Sequence, residues 1–190
     1  IVKNLLNKNP IINVDPTMLL SIQEWTDLAN EIENVQKGEY LLLYSLNLTD
    51  EKARFVYKLA KKLDLKVVVM SRFFKLDTKY HFIKKYDAST IEFLNLIKNA
   101  KCVITSSFHG TIFSILFHKP FYSINGNNDY RISRLLKLTD LLNRAININD
   151  DIDLLEKEMY NIVFEKVDKA IENEILKSEE YLTEALKITD

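Results

Sequence analysis

Three consecutive runs constrain the fold more than any other feature of this chain. Tyr40–Ser45 (YLLLYS) and Leu65–Met70 (LKVVVM) are short, nearly continuous apolar stretches of the kind found in strands buried on both faces. Between them, Asp50–Leu63 places Ala53, Val56, Tyr57 and Ala60 on one helical face and lysines on the other. Strand, amphipathic helix and strand at this spacing form a parallel crossover. The expected class is therefore α/β, an open parallel sheet flanked by helices, Rossmann-like.

The alternation continues downstream. Ser89-Thr90-Ile91-Glu92 matches a capping box, and Ile91, Phe93, Leu94, Leu96 and Ile97 supply the buried stripe of the helix that follows. Cys102-Val103-Ile104 reads as the next strand, Thr111–His118 as an apolar helix stopped by Lys119-Pro120, and Phe121–Ile124 as a further strand. Asn125–Asp129 is a turn-rich loop, with Gly126 available for unusual backbone angles. Arg131–Leu142 is a helix that turns Ile132, Leu135, Leu136 and Leu138 inward. Asn30–Glu39 and Ser71–Ala88 are irregular and polar, and His81 in the second of them suits a loop role.

At the amino end, Val2–Leu6 reads as the close of a helix and Pro10–Val14 as a strand. Asp15-Pro16-Thr17 breaks the pattern, and a short helix carrying Met18, Leu19, Leu20, Ile22 and Trp25 follows it. Capping that helix is a sufficient role for Asp15. The domain expectation is that residues 1–15 are the end of a largely missing amino-terminal α/β domain and its hinge. Residues 16–150 then form a carboxy-terminal α/β domain, and residues 151–190 form long helices packing on the sheet or back towards the missing domain. A start at Ile1, inside a helical pattern, favours a fragment or processed product.

Composition narrows the function classes. Lysine and arginine number 26 against 27 acidic residues, a net charge of -1, so no electrostatic case exists for nucleic acid or an anionic membrane surface. The single cysteine, Cys102, excludes an internal disulfide and a cysteine-based zinc site. No run is long and apolar enough for a membrane span, and no signal-peptide layout opens the chain, so a cytoplasmic product is expected. Only three glycines occur, Gly38, Gly110 and Gly126, which removes both the dinucleotide fingerprint and the nucleotide triphosphatase loop.

Chemistry concentrates between the Cys102 strand and the apolar helix, at Ser106-Ser107-Phe108-His109-Gly110. In an open α/β sheet such a turn lies at the carboxyl end of a strand and the amino end of a helix, where backbone N–H groups favour an anion. Neither serine has the flanking glycines of a hydrolase nucleophile elbow, and His81, His109 and His118 have no metal-ligand spacing. An anion pocket remains. It combines the Ser106 and Ser107 hydroxyls, the Gly110 and Thr111 amides and one or two arginines, with His109 as acid or base. Arg131 and Arg134 sit three apart near a helix start, where a cation opposes the dipole unless an anion holds it. On the residues alone, His109 either exchanges protons or merely hydrogen-bonds the turn.

Thr105–Phe121, TSSFHGTIFSILFHKPF, resembles the signature of the polysaccharide pyruvyl transferase family. The Val14–Leu20 segment with Trp25 resembles that family's hinge. Glu92-Phe93-Leu94 with Ile97, Asn99 and Ala100 resembles the helix before the signature. Arg131-Ile132 with Leu135-Leu136, Leu141 and Arg144 resembles the segment after it. Many members carry aspartate at the position of Ser106, arginine at that of Ser107 or proline at that of Thr90. The resemblance implies the carboxy-terminal domain of a glycosyltransferase-B-type two-domain enzyme. Its implied activity is transfer of pyruvate from phosphoenolpyruvate to a sugar of a bacterial-type surface or exported polysaccharide, as a cyclic ketal. It implies His109 as the catalytic acid/base, and Ser106, Ser107, Gly110, Thr111, Asn125 and Arg131 as donor-binding residues. No cofactor or metal is implied, the acceptor is a glycan or lipid-linked sugar, and a homo-oligomer stays open. A nucleotide-sugar glycosyltransferase and a catalytically silent glycan-binding module are the competing expectations.

Overall fold

The structure, a computed structural model, describes residues 10–71 and 80–187. The helix expected at Val2–Leu6 lies outside the described residues. Among those described are six strands and seven α-helices. In chain order they are α1 (Ile22–Ala29), β1 (Tyr40–Tyr44), α2 (Asp50–Lys62), β2 (Lys66–Met70), β3 (Ile83–Lys84), α3 (Thr90–Asn99), β4 (Cys102–Thr105), α4 (Phe108–Leu116), β5 (Phe121–Ile124), α5 (Tyr130–Leu138), β6 (Ala145–Ile146), α6 (Ile152–Glu158) and α7 (Phe164–Lys187).

All six strands are parallel, in the order β3-β2-β1-β4-β5-β6. This is the doubly wound Rossmann arrangement, whose direction of winding reverses between β1 and β4. Alternation along the strands divides the core. Tyr40, Leu42, Val68, Val103 and Phe121 face α1, α3, α4, α5 and α7, whereas Leu41, Leu43, Val69, Cys102, Ile104 and Tyr122 face α2 and α6. Both faces are therefore covered, which explains why the strands read as apolar runs rather than as alternating ones.

Local chemistry sets the helix starts. Ser21 with Glu24, and Ser89 with Glu92, each form a complete capping box, while Thr49 caps α2 and Asp129 caps α5.

Several boundaries differ from the sequence reading, each for a physical reason. Pro10–Val14 is irregular and joins no sheet; the Val14 N–H donates to Ser178 Oγ on α7, 3.0 Å away. Met18 belongs to a single 3-10 turn, Pro16–Met18, and a separate helix begins after Ser21. The helix expected from Thr111 begins at Phe108, because Ser107 is its cap and Gly110 lies inside its first turn. In the loop after β5 the left-handed residue is Asn125, at φ 57°, not Gly126. Gly126 is needed for space, since a Cβ there would stand 2.9 Å from Ser123 Oγ and 3.1 Å from Ile132 Cγ2. The helix drawn to Leu142 ends at Leu138. Two edge strands, β3 and β6, are two residues each and leave no readable run. His81 is exposed in the loop before β3, as expected.

Arg144 is fully buried beside β6. Its guanidinium donates to the carbonyls of Glu158, Met159 and Asn161 and lies 5.2 Å from the centre of the Tyr122 ring. It thereby ties the α6–α7 connection to the sheet, and burial lowers its pKa from the ordinary arginine value.

Candidate active site

The carboxyl ends of β1 and β4 adjoin at the point where the sheet's winding reverses, the usual crevice for a ligand in such folds. Ser45 and Ser106 extend these two strands, and their hydroxyl oxygens are 2.8 Å apart. One residue further, the Ser107 N–H donates to Thr105 Oγ1 at 3.0 Å, and Thr105 Oγ1 itself donates to the Tyr44 carbonyl at 2.8 Å. These bonds set the direction in which the chain leaves β4 and enters α4.

The turn is built largely by buried groups. Ser107 Oγ accepts from the Gly110 N–H at 3.4 Å, and the Ser107 carbonyl accepts from both the Thr111 N–H and Thr111 Oγ1, each at 3.0 Å. Gly110 is required by close approach: a Cβ would lie 2.3 Å from Thr105 Oγ1 and 2.8 Å from Tyr44 Cδ1. Ser107, Gly110 and Thr111 thus shape the turn from inside. Phe108 and His109, by contrast, stand at its outer side, His109 with its side chain about half exposed at 51%.

His109 faces a residue far away in sequence. Its Nε2 lies 3.8 Å from Asp15 Oδ2. The other carboxylate oxygen, Oδ1, accepts from the Thr17 N–H at 3.1 Å and from Thr17 Oγ1 at 2.7 Å, which is the capping role expected. Asp15 therefore does two things at once. It is positioned by Trp25, whose Nε1 donates to the Thr17 carbonyl at 2.9 Å and whose ring meets Phe113 of α4 edge-on at 5.0 Å. The 15–25 segment and the helix bearing His109 are locked together by that contact.

Arg131 completes the outer side. Its guanidinium lies 4.9 Å from the centre of the Phe108 ring and donates to both Asp129 oxygens, with Nη2 to Oδ2 at 2.9 Å. The anion that offsets the helix-dipole penalty is thus Asp129, the cap of α5. Hydrogen bonds from Arg131 hold the Asp129 carboxyl below its ordinary pKa, and the same pairing raises that of Arg131. Arg134, one turn along, is 3.9 Å from Glu174 of α7. A cavity of about 320 Å³ opens between the 12–18 segment and α5, with Asp15, Phe108, Arg131, Arg134 and Leu138 in its wall. Asn125 is exposed at the same sheet edge, its backbone fixed by a 2.8 Å bond from its N–H to the Ile146 carbonyl.

The structure therefore gathers His109, Arg131 and the Ser106–Thr111 turn at one edge and adds Asp15 and Phe108, which the sequence reading left without a chemical role. No group of three or more His, Cys, Asp or Glu side chains suited to a metal occurs among the described residues. Cys102 is buried on the opposite side of β4, and burial pushes its thiol up to about 12, which leaves it protonated and unreactive.

A family model described as polysaccharide pyruvyl transferase matches residues 1–128, well over half of the chain. The chain belongs to the polysaccharide pyruvyl transferase family. Membership implies a transferase and suggests a polysaccharide as the acceptor class. The matched region takes in Asp15, β1 to β5 and the whole of the turn bearing His109, and ends before Arg131. No curated protein matches the chain. No helix among the described residues is long and apolar enough to cross a membrane.

Proposed function

We propose that this pyruvyl transferase family member takes pyruvate from phosphoenolpyruvate and fixes it on two hydroxyls of a polysaccharide sugar as a cyclic ketal, in the cytoplasm. The observation that carries the reading is the convergence of His109, paired with Asp15, and Arg131, stacked on Phe108, at the carboxyl edge of the parallel sheet. A proton donor next to a cation is what an enol phosphate needs.

In this scheme the His109 imidazolium gives its proton to the methylene carbon of the donor, and C2 becomes oxocarbenium-like. One sugar hydroxyl attacks C2 and returns its proton to His109. The C2–O bond to phosphate then breaks, the second hydroxyl closes the ring, and its proton leaves with the phosphate. Each turnover converts one methylene to a methyl group and releases one inorganic phosphate. Asp15, 3.8 Å from Nε2, orients the imidazole. Arg131 faces the donor's carboxylate or phosphate, with Asp129 holding the guanidinium in place. Ser106 and Asn125 contribute side chains at the edge, while Ser107, Gly110 and Thr111 contribute through the turn they build. The amides of Phe108 and His109, at the head of α4, add the positive end of the helix dipole.

Arg131→Ala tests the donor assignment. The expected result is a KM for phosphoenolpyruvate raised by about tenfold or more, the loss of one charge-assisted contact. A KM unchanged within twofold contradicts the role of Arg131, and hydrolysis or binding of a nucleoside diphosphate instead of phosphoenolpyruvate favours a nucleotide-sugar glycosyltransferase.

A further inference from the structure

A second cavity, of about 340 Å³, opens at the same sheet edge on the far side of Tyr44 from Arg131. It lies at the carboxyl ends of β1 and β2, against the connection from β3 to α3, with Tyr44, Tyr86, Phe93, Ser71 and Lys85 in its wall. Ser71 is 6% exposed, and its hydroxyl has no hydrogen-bond partner among the described residues. A buried hydroxyl in this condition is rare in a folded protein and calls for a partner from outside.

We infer that this cavity is the subsite for the acceptor sugar, and that it takes a neutral pyranose. The inference rests on the pyruvyl-transfer reading above. A pyranose is amphipathic: one face of C–H groups packs flat on an aromatic ring, and the rim of hydroxyls needs polar partners. Three aromatic rings and the unsatisfied Ser71 hydroxyl in one wall supply both.

Charge argues for a neutral ligand. The start of α3 borders the cavity, and its capping box is closed: the Glu92 carboxylate accepts from the Ser89 N–H at 2.7 Å. Those hydrogen bonds keep Glu92 below the ordinary carboxyl pKa, so it is ionised. The helix end that would otherwise receive a phosphate is occupied by an anion, and among the described residues Lys85 is the only lysine or arginine in the wall of the cavity. A nucleoside diphosphate is disfavoured for the same reason.

Position links the cavity to the reaction. Tyr44 is its inner wall and packs on Gly110, next to His109 in α4. The Ser45–Ser106 hydroxyl pair lies at the adjoining ends of β1 and β4. A sugar lying on Tyr44 and Tyr86 would therefore sit on one side of the head of α4, with the arginine-bearing cavity on the other. The reacting hydroxyl and the donor's C2 would then meet at the head of α4 beside His109, the close approach that transfer requires.

The test is saturation-transfer NMR with methyl β-D-galactopyranoside, methyl β-D-glucopyranoside and uridine diphosphate on the wild-type protein and on Tyr86→Ala, Ser71→Ala and Arg131→Ala. At least one glycoside is expected to bind. Its Kd should rise about tenfold in Tyr86→Ala and about fivefold in Ser71→Ala, the losses of one aromatic face and one hydrogen bond. Arg131→Ala should leave glycoside binding unchanged while weakening phosphoenolpyruvate. Glycoside affinity that ignores Tyr86 and Ser71, no binding by either glycoside, or uridine diphosphate binding lost in those two variants overturns the subsite. If phosphoenolpyruvate binding is still weakened by Arg131→Ala, the donor reading survives that failure. Glycoside binding that depends on Tyr86 in a protein that never binds phosphoenolpyruvate would instead keep the sugar site and overturn the transfer reading.

Discussion

Replacing Gly110 by alanine probes the joint between the sheet and the helix bearing His109, and its size can be worked from the packing. The added methyl group would stand 2.3 Å from Thr105 Oγ1, 2.8 Å from Tyr44 Cδ1 and 3.0 Å from Thr105 Cβ, so neighbours must move. Overfilling a tight core site costs about 1–3 kcal/mol, and three contacts this short put the cost near the top of that range. Thr105 Oγ1 is fixed by two hydrogen bonds, one to the Tyr44 carbonyl and one from the Ser107 N–H. Rotating it away loses about 1 kcal/mol for each bond that is not remade. Alanine's better helix propensity returns about 1 kcal/mol. The net is a destabilisation of about 3 kcal/mol, which for a chain of this size lowers Tm by about 6–12 °C. Thermal and urea unfolding followed by circular dichroism measure it directly. A Tm equal to or above that of the wild type would refute the reasoning, because it would mean that α4 does not press on Thr105 and Tyr44. The turn bearing His109 would then lack the anchor assigned to it.

Two other substitutions test separate parts of the account. Arg144→Ala leaves the carbonyls of Glu158, Met159 and Asn161 without their buried donor, and the expected loss is about 3–5 kcal/mol in chemical denaturation; a loss under about 1 kcal/mol contradicts the clamp. Asp129 has a lowered pKa in the folded protein, so its contribution is complete above the ordinary carboxyl value of about 4 and disappears as pH falls through the lowered one. Asp129→Asn should therefore show a shallower fall in urea midpoint below about pH 4 than the wild type, and identical slopes would exclude the pairing with Arg131 as its cause.

How much was legible in the sequence follows from how local each signal is. β1, α2, β2, α3 and β5 were readable because a doubly covered parallel strand is apolar throughout and a flanking helix shows one apolar stripe. Glycine misplaced the start of α4: Gly110 reads as the end of a turn, whereas it is helical and serves close approach to Thr105 and Tyr44. Asn125 took the left-handed position expected of its neighbour because asparagine tolerates that backbone and Gly126 was required for packing. β3 and β6 have two residues each, too few for any period to register. At the site, the turn was legible as a strand-to-helix junction. The Asp15–His109 contact was not, because it joins residues far apart in sequence and the cap already accounted for Asp15. Arg131 was found by its unfavourable place at a helix start, yet the first anion it meets is one from its own helix cap. Nothing in a sequence marks Arg144 as buried, since arginine is usually exposed.

The central claim is that His109 donates the proton that turns the donor's methylene into a methyl group. Turnover of phosphoenolpyruvate with acceptor in D2O, followed by proton NMR of the ketal methyl and by phosphate release, measures that step. The wild type should give a methyl group carrying a single deuterium, with one phosphate released per ketal. His109→Gln should bind phosphoenolpyruvate with little change while the rate falls by about 10²–10⁴, the range for loss of a general acid. A His109→Gln protein that forms the ketal within threefold of the wild-type rate would contradict the account.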